Sequence, residues 1–170
     1  MDDDARFLRR LLDTQLVGAL GTLHRGDPAV SMVPFVLPAG DRRLFIHVSA
    51  LATHTRDVQR HPCVSLLVMA EPGADAQPQA LPRVSLQADA VTLAAGDDHD
   101  QARKAHLARF PDAALTFELA DFSIVALQPI SARLVAGFGR AYGLAGGALT
   151  RWLLGRAAPS RCESSRSVRR

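Results

Sequence analysis

Cysteine and aromatic residues are scarce in this sequence. Its 170 residues include 2 cysteines and 5% aromatic side chains, whereas 48% are hydrophobic and 22% are charged. Cys63 stands in an apolar run and Cys162 in a polar one, so no disulfide framework is expected. The hydrophobic residues still suffice to bury one sizeable core, which excludes a disordered or collagen-like chain and predicts about one domain.

Long hydrophobic runs are also missing. No apolar run reaches the roughly 18 residues that a membrane span requires. The sequence begins with the acidic MDDDARFLRR, where a signal peptide would be basic. We therefore expect a protein of the cytoplasm with no membrane partner.

Positive charge is concentrated at the end of the chain. The formal net charge of the chain is +3. Residues 151–170 carry six arginines and one acidic residue, Glu163, so their net charge is +5 and that of residues 1–150 is about −2. Because the domain is not basic, no nucleic-acid partner is expected. Residues 157–170 have the composition of a basic, disordered tail, which leaves residues 1–156 as the predicted folded domain.

The remaining pattern predicts a mainly β protein with helices at the connections. Apolar runs between turn residues predict strands, whereas helical spacing and capping residues predict helices. The predicted helices cover residues 7–12, 51–60 and 96–110, and the predicted strands cover residues 16–24, 29–37, 43–48, 63–70, 83–93, 122–129 and 131–139. Consecutive strands with short links are antiparallel, so we expect a small antiparallel barrel of six or seven strands.

Familiar catalytic motifs are absent from the sequence. It contains no Rossmann glycine fingerprint, P-loop, CxxC pair or HExxH motif, which excludes the common nucleotide-hydrolysis, thiol-redox and zinc-protease classes. The six histidines are scattered, so no metal site is expected. No serine stands on a sharp glycine-flanked turn, and no residue is assigned a catalytic role.

The second and third predicted strands, with the helix that follows them, indicate a binding site. Pro34 removes a backbone N–H, which favours an edge strand that faces something other than another strand. After Ser49 a helix begins near Thr53, and its unpaired amide N–H groups form a physical anion site. Arg56 or Arg83 is a candidate for the matching positive charge. The alternative is an ordinary strand end followed by a capped helix.

Several segments, taken in order, resemble one family. They read GALGTLHRGDPAVSMVPFVL, LFIHVSALATHTRDVQRHPCVSLLVM, LPRVSLQADAV, HLARFPDA and ADFSIVALQPISARLVAGFGRAYGL. This succession is similar to the pyridoxamine 5′-phosphate oxidase-related FMN-binding split-barrel superfamily, and particularly to its heme-utilisation branch. The resemblance covers residues 12–150.

The resemblance implies a six-stranded antiparallel split β-barrel, mainly β with peripheral helices, that forms a homodimer with two FMN sites at the subunit interface. The implied function is a flavin-dependent oxidoreductase acting on an unidentified small-molecule substrate or electron donor, because the flavin performs the chemistry and the protein orients it. The residues implied to bind the cofactor are Ser31, Met32, Val33, His47, Val48, Ser49, His54, Thr55 and Arg83. Trp152, the single tryptophan, could cover the flavin, although anchoring a helix face is the commoner role.

The resemblance also divides these residues by role. Residues 31–33 would contact the flavin ring through backbone groups, and residues 47–49 would line its ribityl chain. His54 and Thr55 would hold the phosphate, and Arg83 would approach the ring or the ribityl chain. His54 and Ser31 stand at positions where the superfamily often carries a basic side chain, arginine or lysine.

Two other functions remain open. One is a heme-binding or heme-degrading protein, as the branch implies, and the other is a flavin-binding protein without turnover. Heme-utilising relatives typically bind iron through a late histidine, whereas the last histidine here is His106, so His24, His47 and His106 are the candidate ligands. Asp121 and Arg140 fall in the region that shapes the second pocket. The Arg-Leu-His type segment of true pyridoxamine phosphate oxidases is not matched, so that activity is not expected.

Overall fold

The computed structural model describes residues 3–74 and 77–155. The predicted domain boundary at residue 156 and the predicted tail over 157–170 lie outside the described residues. The helices are α1 (Asp3–Thr14), α2 (Thr53–Arg60), α3 (Asp97–Arg109) and α4 (Gly146–Leu153), with 3₁₀ segments at Pro78–Ala80 and Pro111–Glu118. The strands are β1 (Val17–His24), β2 (Asp27–Pro34), β3 (Leu44–Ser49), β4 (Cys63–Met69), β5 (Arg83–Thr92), β6 (Phe122–Gly137) and β7 (Arg140–Ala145).

All seven strands belong to one antiparallel sheet. Its order is β2-β1-β4-β5-β6-β3, with β7 paired to β6. The sheet curls until the chain just after β2 meets β3 at a single bridge between Val36 and Phe45. Among the described residues no longer ladder closes it. The predicted fold class, mainly antiparallel β with peripheral helices and consistent with a split barrel, is therefore confirmed, although the sheet has seven strands instead of six.

The second half of the sheet differs from the sequence prediction. Residues 122–129 and 131–139, predicted as two strands, form most of the single 16-residue strand β6. Pro129 does not interrupt β6 because it stands beside a bulge in this strand. The consecutive β5 residues Gln87 and Ala88 pair with Ser131 and Pro129, which leaves Ile130 without a partner, and a missing N–H is tolerated at such a bulge. β7 was not predicted, and it pairs along β6 with Tyr142 half-buried against the core.

The core lies inside the curled sheet, and a smaller cluster lies outside it. Alternate residues of β1, β3, β4, β5 and β6 point inward and pack with α1 and α4. The smaller cluster consists of Val36, Phe45, Ala102, Ile124 and Ala126. It lies between β3 and α3, so β3 is buried on both faces. In the part of the chain that is described, no helix is long and apolar enough to cross a membrane.

Candidate functional site

The residues predicted to contact a flavin ring lie on an edge strand. β2 is at one end of the strand order, as Pro34 predicted. Val33 is buried, Ser31 is half-buried, and the side chain of Met32 is 66% exposed. Because an edge strand has backbone groups on one side that no neighbouring strand pairs, this segment can face a ligand or a partner subunit.

The turn between β3 and α2 is held by short hydrogen bonds. The hydroxyl of Ser49 donates to a carboxylate oxygen of Asp121 at 2.6 Å and accepts from the backbone N–H of Leu51. The hydroxyl of Thr55 donates to the Ser49 carbonyl at 2.7 Å. No side chain caps α2, whose N-cap residue is Ala52. The helix therefore offers amide N–H groups to an anion, but the turn also holds a carboxylate.

The two predicted positive charges are not both beside this turn. Ser49 pairs with Phe122 at the start of β6, whereas Arg83 pairs with Val135 far along the same strand. The Arg83 guanidinium donates to the Leu81 carbonyl at 2.9 Å. The structure thus does not bring Arg83 to the β3–α2 turn within one chain.

His54 lies in the first turn of α2 and is half-buried. Burial lowers its pKa by more than the nearby carboxylate of Asp57 raises it. The imidazole is therefore neutral at neutral pH and contributes no full charge toward a phosphate. Whether the nine predicted residues bind a cofactor stays a prediction.

The side chain of His47 lies in a covered aromatic cluster. The ring of Phe117, from the second 3₁₀ segment, stacks on it with centroids 3.7 Å apart, and the ring of His106 from α3 lies 5.5 Å away. Burial, together with the imidazoles of His106 and His99, lowers the pKa of His47 to about 4. Burial also lowers the pKa of His106 to about 4. Both rings are therefore neutral, and the adjacent Val48 points into the core.

A histidine and a buried aspartate form a pair at the end of β1. His24 Nδ1 lies 2.9 Å from Asp57 Oδ1, and the Thr22 hydroxyl donates to Asp57 Oδ2 at 3.2 Å. Asp57 is 2% exposed, whereas the His24 side chain is 40% exposed. Burial raises the pKa of Asp57. The hydrogen bonds from His24 and Thr22, together with nearby positive charge, lower it by more than burial raises it, so the pKa of Asp57 lies below its usual value. The sequence analysis missed this role of Asp57 because 33 positions separate it from His24.

The outer face of the sheet carries a groove beside β2. Its cavity volume is about 550 Å³, within the range of roughly 300–1,000 Å³ that small-molecule sites occupy. Val30, whose side chain is 74% exposed, lies at its rim. Gly21 belongs to its floor, where a Cβ would stand 2.6 Å from the Ser65 hydroxyl. Over residues 3–74 and 77–155, no group of three or more metal-binding side chains occurs.

An open, curled antiparallel sheet with an edge strand and peripheral helices is consistent with the split-barrel class of fold. Residues 5–136 match the family model described as pyridoxamine 5′-phosphate oxidase. The chain therefore belongs to the pyridoxamine 5′-phosphate oxidase family.

Three of the proteins that this chain is similar to are named for heme. The chain is 33% identical over 138 residues to the non-canonical heme oxygenase HOZ, chloroplastic, of Arabidopsis thaliana, covering 79% of this chain and 41% of that protein. It resembles a heme-binding protein from Mycobacterium smegmatis at 32% identity and a TM-score of 0.78, covering 88% of this chain and 61% of that one. HutZ, the heme storage protein from Vibrio cholerae, is 25% identical with a TM-score of 0.65, over 72% and 87% of the two chains.

The chain thus spans less than two thirds of the length of the first two relatives. The family and the branch that the sequence resembles are both confirmed.

Proposed function

We propose that this chain is a heme-binding member of the pyridoxamine 5′-phosphate oxidase family. The observation that carries the proposal is its likeness, at about one third identity, to a heme oxygenase and a heme-binding protein. The exposed side chains of Val30 and Met32 beside the groove offer apolar surface to a porphyrin. The histidines offer nitrogen donors for its iron, and a bound heme would supply a redox centre whose reactivity the axial ligand and the pocket polarity set.

An FMN-dependent oxidoreductase is the second candidate. It is favoured by the uncapped start of α2, because amide N–H groups at a helix N-terminus bind phosphate. Two observations weaken it. The carboxylate of Asp121 is hydrogen-bonded to Ser49 in the same turn, and the neutral His54 lacks the full positive charge that would offset the carboxylate's repulsion of a phosphate. We therefore rank heme above FMN.

We further propose that two copies pair through the outer face of β1 and β2. Val17, Val30 and Met32 are apolar and between 44% and 74% exposed on these adjacent strands. Large exposed apolar surfaces mark interaction sites in soluble proteins. Pairing through this face would place the groove between two subunits, as the sequence resemblance implies.

The choice between the cofactors is tested by visible absorption. Purified protein is mixed with hemin in one cuvette and with FMN in another, and each mixture is passed through gel filtration. We expect a sharp Soret band that elutes with the protein, and FMN that elutes separately. Retained flavin bands without a Soret band would reverse the ranking. Retained FMN that NAD(P)H reduces without any acceptor would instead favour the flavin-binding protein without turnover.

A further inference from the structure

We propose that Gln87 and Arg133 bind the carboxylates of a flat, apolar acid that lies in the groove beside β2. The inference rests on the proposed heme-binding function, for which those carboxylates are the two propionates of heme. It adds which end of the groove holds the acid edge of the ligand.

A row of cross-strand partners forms the floor of the groove. Gly21 of β1 pairs with Val30 of β2 and with Ser65 of β4. Ser65 pairs in turn with Gln87 of β5, and Gln87 pairs with Ser131 of β6. The row crosses five neighbouring strands and is therefore roughly 19 Å long at the usual strand spacing.

The middle of this row is shallow and faces outward. The sequence neighbours of Gly21, Ser65 and Gln87 are all buried, and alternate residues of a strand point to opposite faces. These three residues also line the cavity of about 550 Å³. Because glycine has no side chain and serine a short one, a flat ring can lie close to the backbone of β1 and β4.

The two ends of the row differ in polarity. At the β2 end, Val30 is 74% exposed and Leu23 of the next row is 38% exposed. At the other end, the Ser131 hydroxyl donates to Oε1 of Gln87 at 2.9 Å. Since the amide oxygen of Gln87 already accepts, its N–H groups are left to donate to a ligand. An apolar edge therefore fits the β2 end, and a hydrogen-bond acceptor fits the Gln87 end.

Arg133 supplies positive charge at the same end. It is the next outward-facing residue of β6 after Ser131 and pairs with Ser85 of β5. It is thus a diagonal neighbour of Gln87, at a distance that long side chains span. Arg133 is exposed, and no described residue holds its guanidinium. Arg83, on the same face, instead donates to backbone carbonyls of the preceding loop. A guanidinium binds a carboxylate through two parallel hydrogen bonds.

A carboxylate of the protein fixes which side of the row the acid edge occupies. Asp89 is the next outward-facing residue of β5 after Gln87, on the side away from Arg133, and the Cys63 thiol lies 3.7 Å from its Oδ1 atom. Like charges repel, so the carboxylates of the ligand lie on the Arg133 side. The apolar floor still contributes most of the binding, so losing the charge contact weakens binding and does not abolish it.

Hemin and hemin dimethyl ester, in which both propionates are esterified and uncharged, test the charge contact. We expect the wild type to bind hemin at least fivefold more tightly than the ester, and Arg133→Gln to bind both with similar affinity. Arg42→Gln, at an exposed arginine outside this groove, is the matched control and should keep the wild-type preference. The preference should also fall as ionic strength rises.

Ser65→Phe tests the position of the ring. A phenyl ring on the floor would fill the groove, so we expect at least a tenfold loss of affinity for both hemin and its ester. Thr92→Phe, at an exposed position at the end of β5, should bind both like the wild type. Unchanged affinity in a folded Ser65→Phe protein would place the ligand elsewhere and overturn the inference.

The outcomes separate this inference from the proposed function. A wild type that binds hemin and the ester equally overturns the inference and leaves heme binding intact, as does a folded Arg133→Gln protein that still prefers hemin. A wild type that takes up no hemin defeats both proposals. If Arg133→Gln does not fold, the wild type decides at low and high salt, because a preference that salt does not reduce would also overturn the charge contact.

Discussion

At the scale of single residues, the side chain of His106 stands out among the described residues because both of its ring nitrogens are buried without a hydrogen-bond partner. Its ring is 3% exposed. Its neighbours are the rings of Phe110, Phe117 and His47. A buried polar group without a partner lowers the stability of the fold by roughly 1–3 kcal/mol. The imidazole of His106 therefore destabilises the folded protein in a way that an apolar ring at the same position would not.

His106→Phe should therefore stabilise the fold and weaken its pH dependence. The free energy of unfolding should rise by about 1 kcal/mol, because the new ring keeps the contacts and removes the unpaired nitrogens. In the folded protein the pKa values of His47 and His106 are about 4, whereas in the unfolded chain these histidines have their usual pKa of 6.5. As the pH falls, the unfolded chain therefore takes up protons before the folded protein does. Wild-type stability is thus fully present above about pH 6.5 and is lost progressively toward about pH 4.

Urea unfolding at a series of pH values measures both effects. His61→Phe, at an exposed position at the end of α2, is the control. A less stable His106→Phe protein, or one with the full wild-type pH slope, would contradict the account of this cluster.

At the scale of elements, α1 and α4 are tied together over one end of the core. Trp152 is 2% exposed, and its indole N–H donates to the Ala5 carbonyl at 2.8 Å. The Arg9 side chain donates to the Leu153 carbonyl at the same distance. Trp152 is thus the anchor of a helix face in this chain, the commoner of the two roles considered from the sequence.

Trp152→Ala should destabilise the protein by about 3–5 kcal/mol, because it removes a large buried ring and leaves a cavity. Trp152→Phe keeps most of the ring and loses the hydrogen bond, so a smaller loss of about 1 kcal/mol is expected. Denaturant unfolding followed by circular dichroism measures both variants. Equal stability of Trp152→Ala and the wild type would show that α4 does not depend on this anchor.

The strands were largely predictable because their signals are local. Turn residues and apolar runs gave β1 to β5 at nearly their observed positions, and Pro34 indicated an edge strand. β6 was divided in two because the bulge that accommodates Pro129 depends on the partner strand β5. β7 was missed because its small residues show little hydrophobic alternation. This segment is a strand because it pairs with β6, which is a contact that local sequence does not show.

At the scale of the whole molecule, the proposed pairing of two copies predicts a solution mass about twice the 18.3 kDa of the chain. Met32→Asp should shift that mass toward the monomer, because it places a charge in the middle of the proposed apolar interface. Leu115→Asp, at a side chain 80% exposed on the second 3₁₀ segment, should leave the mass unchanged. Sedimentation equilibrium measures all three proteins, and a monomeric wild type would exclude this pairing.

The sequence by itself determined the mainly antiparallel fold, the edge position of β2 and the family. Each of these depends on the order and local spacing of residues along the chain. Only the tertiary structure decided that His47 is covered by Phe117, that Arg83 lies away from the β3–α2 turn and that Asp57 holds His24. Local spacing specifies which face of a strand a side chain is on, but not which distant element packs on that face, and that packing sets the burial, charge and hydrogen-bond partners of a binding site.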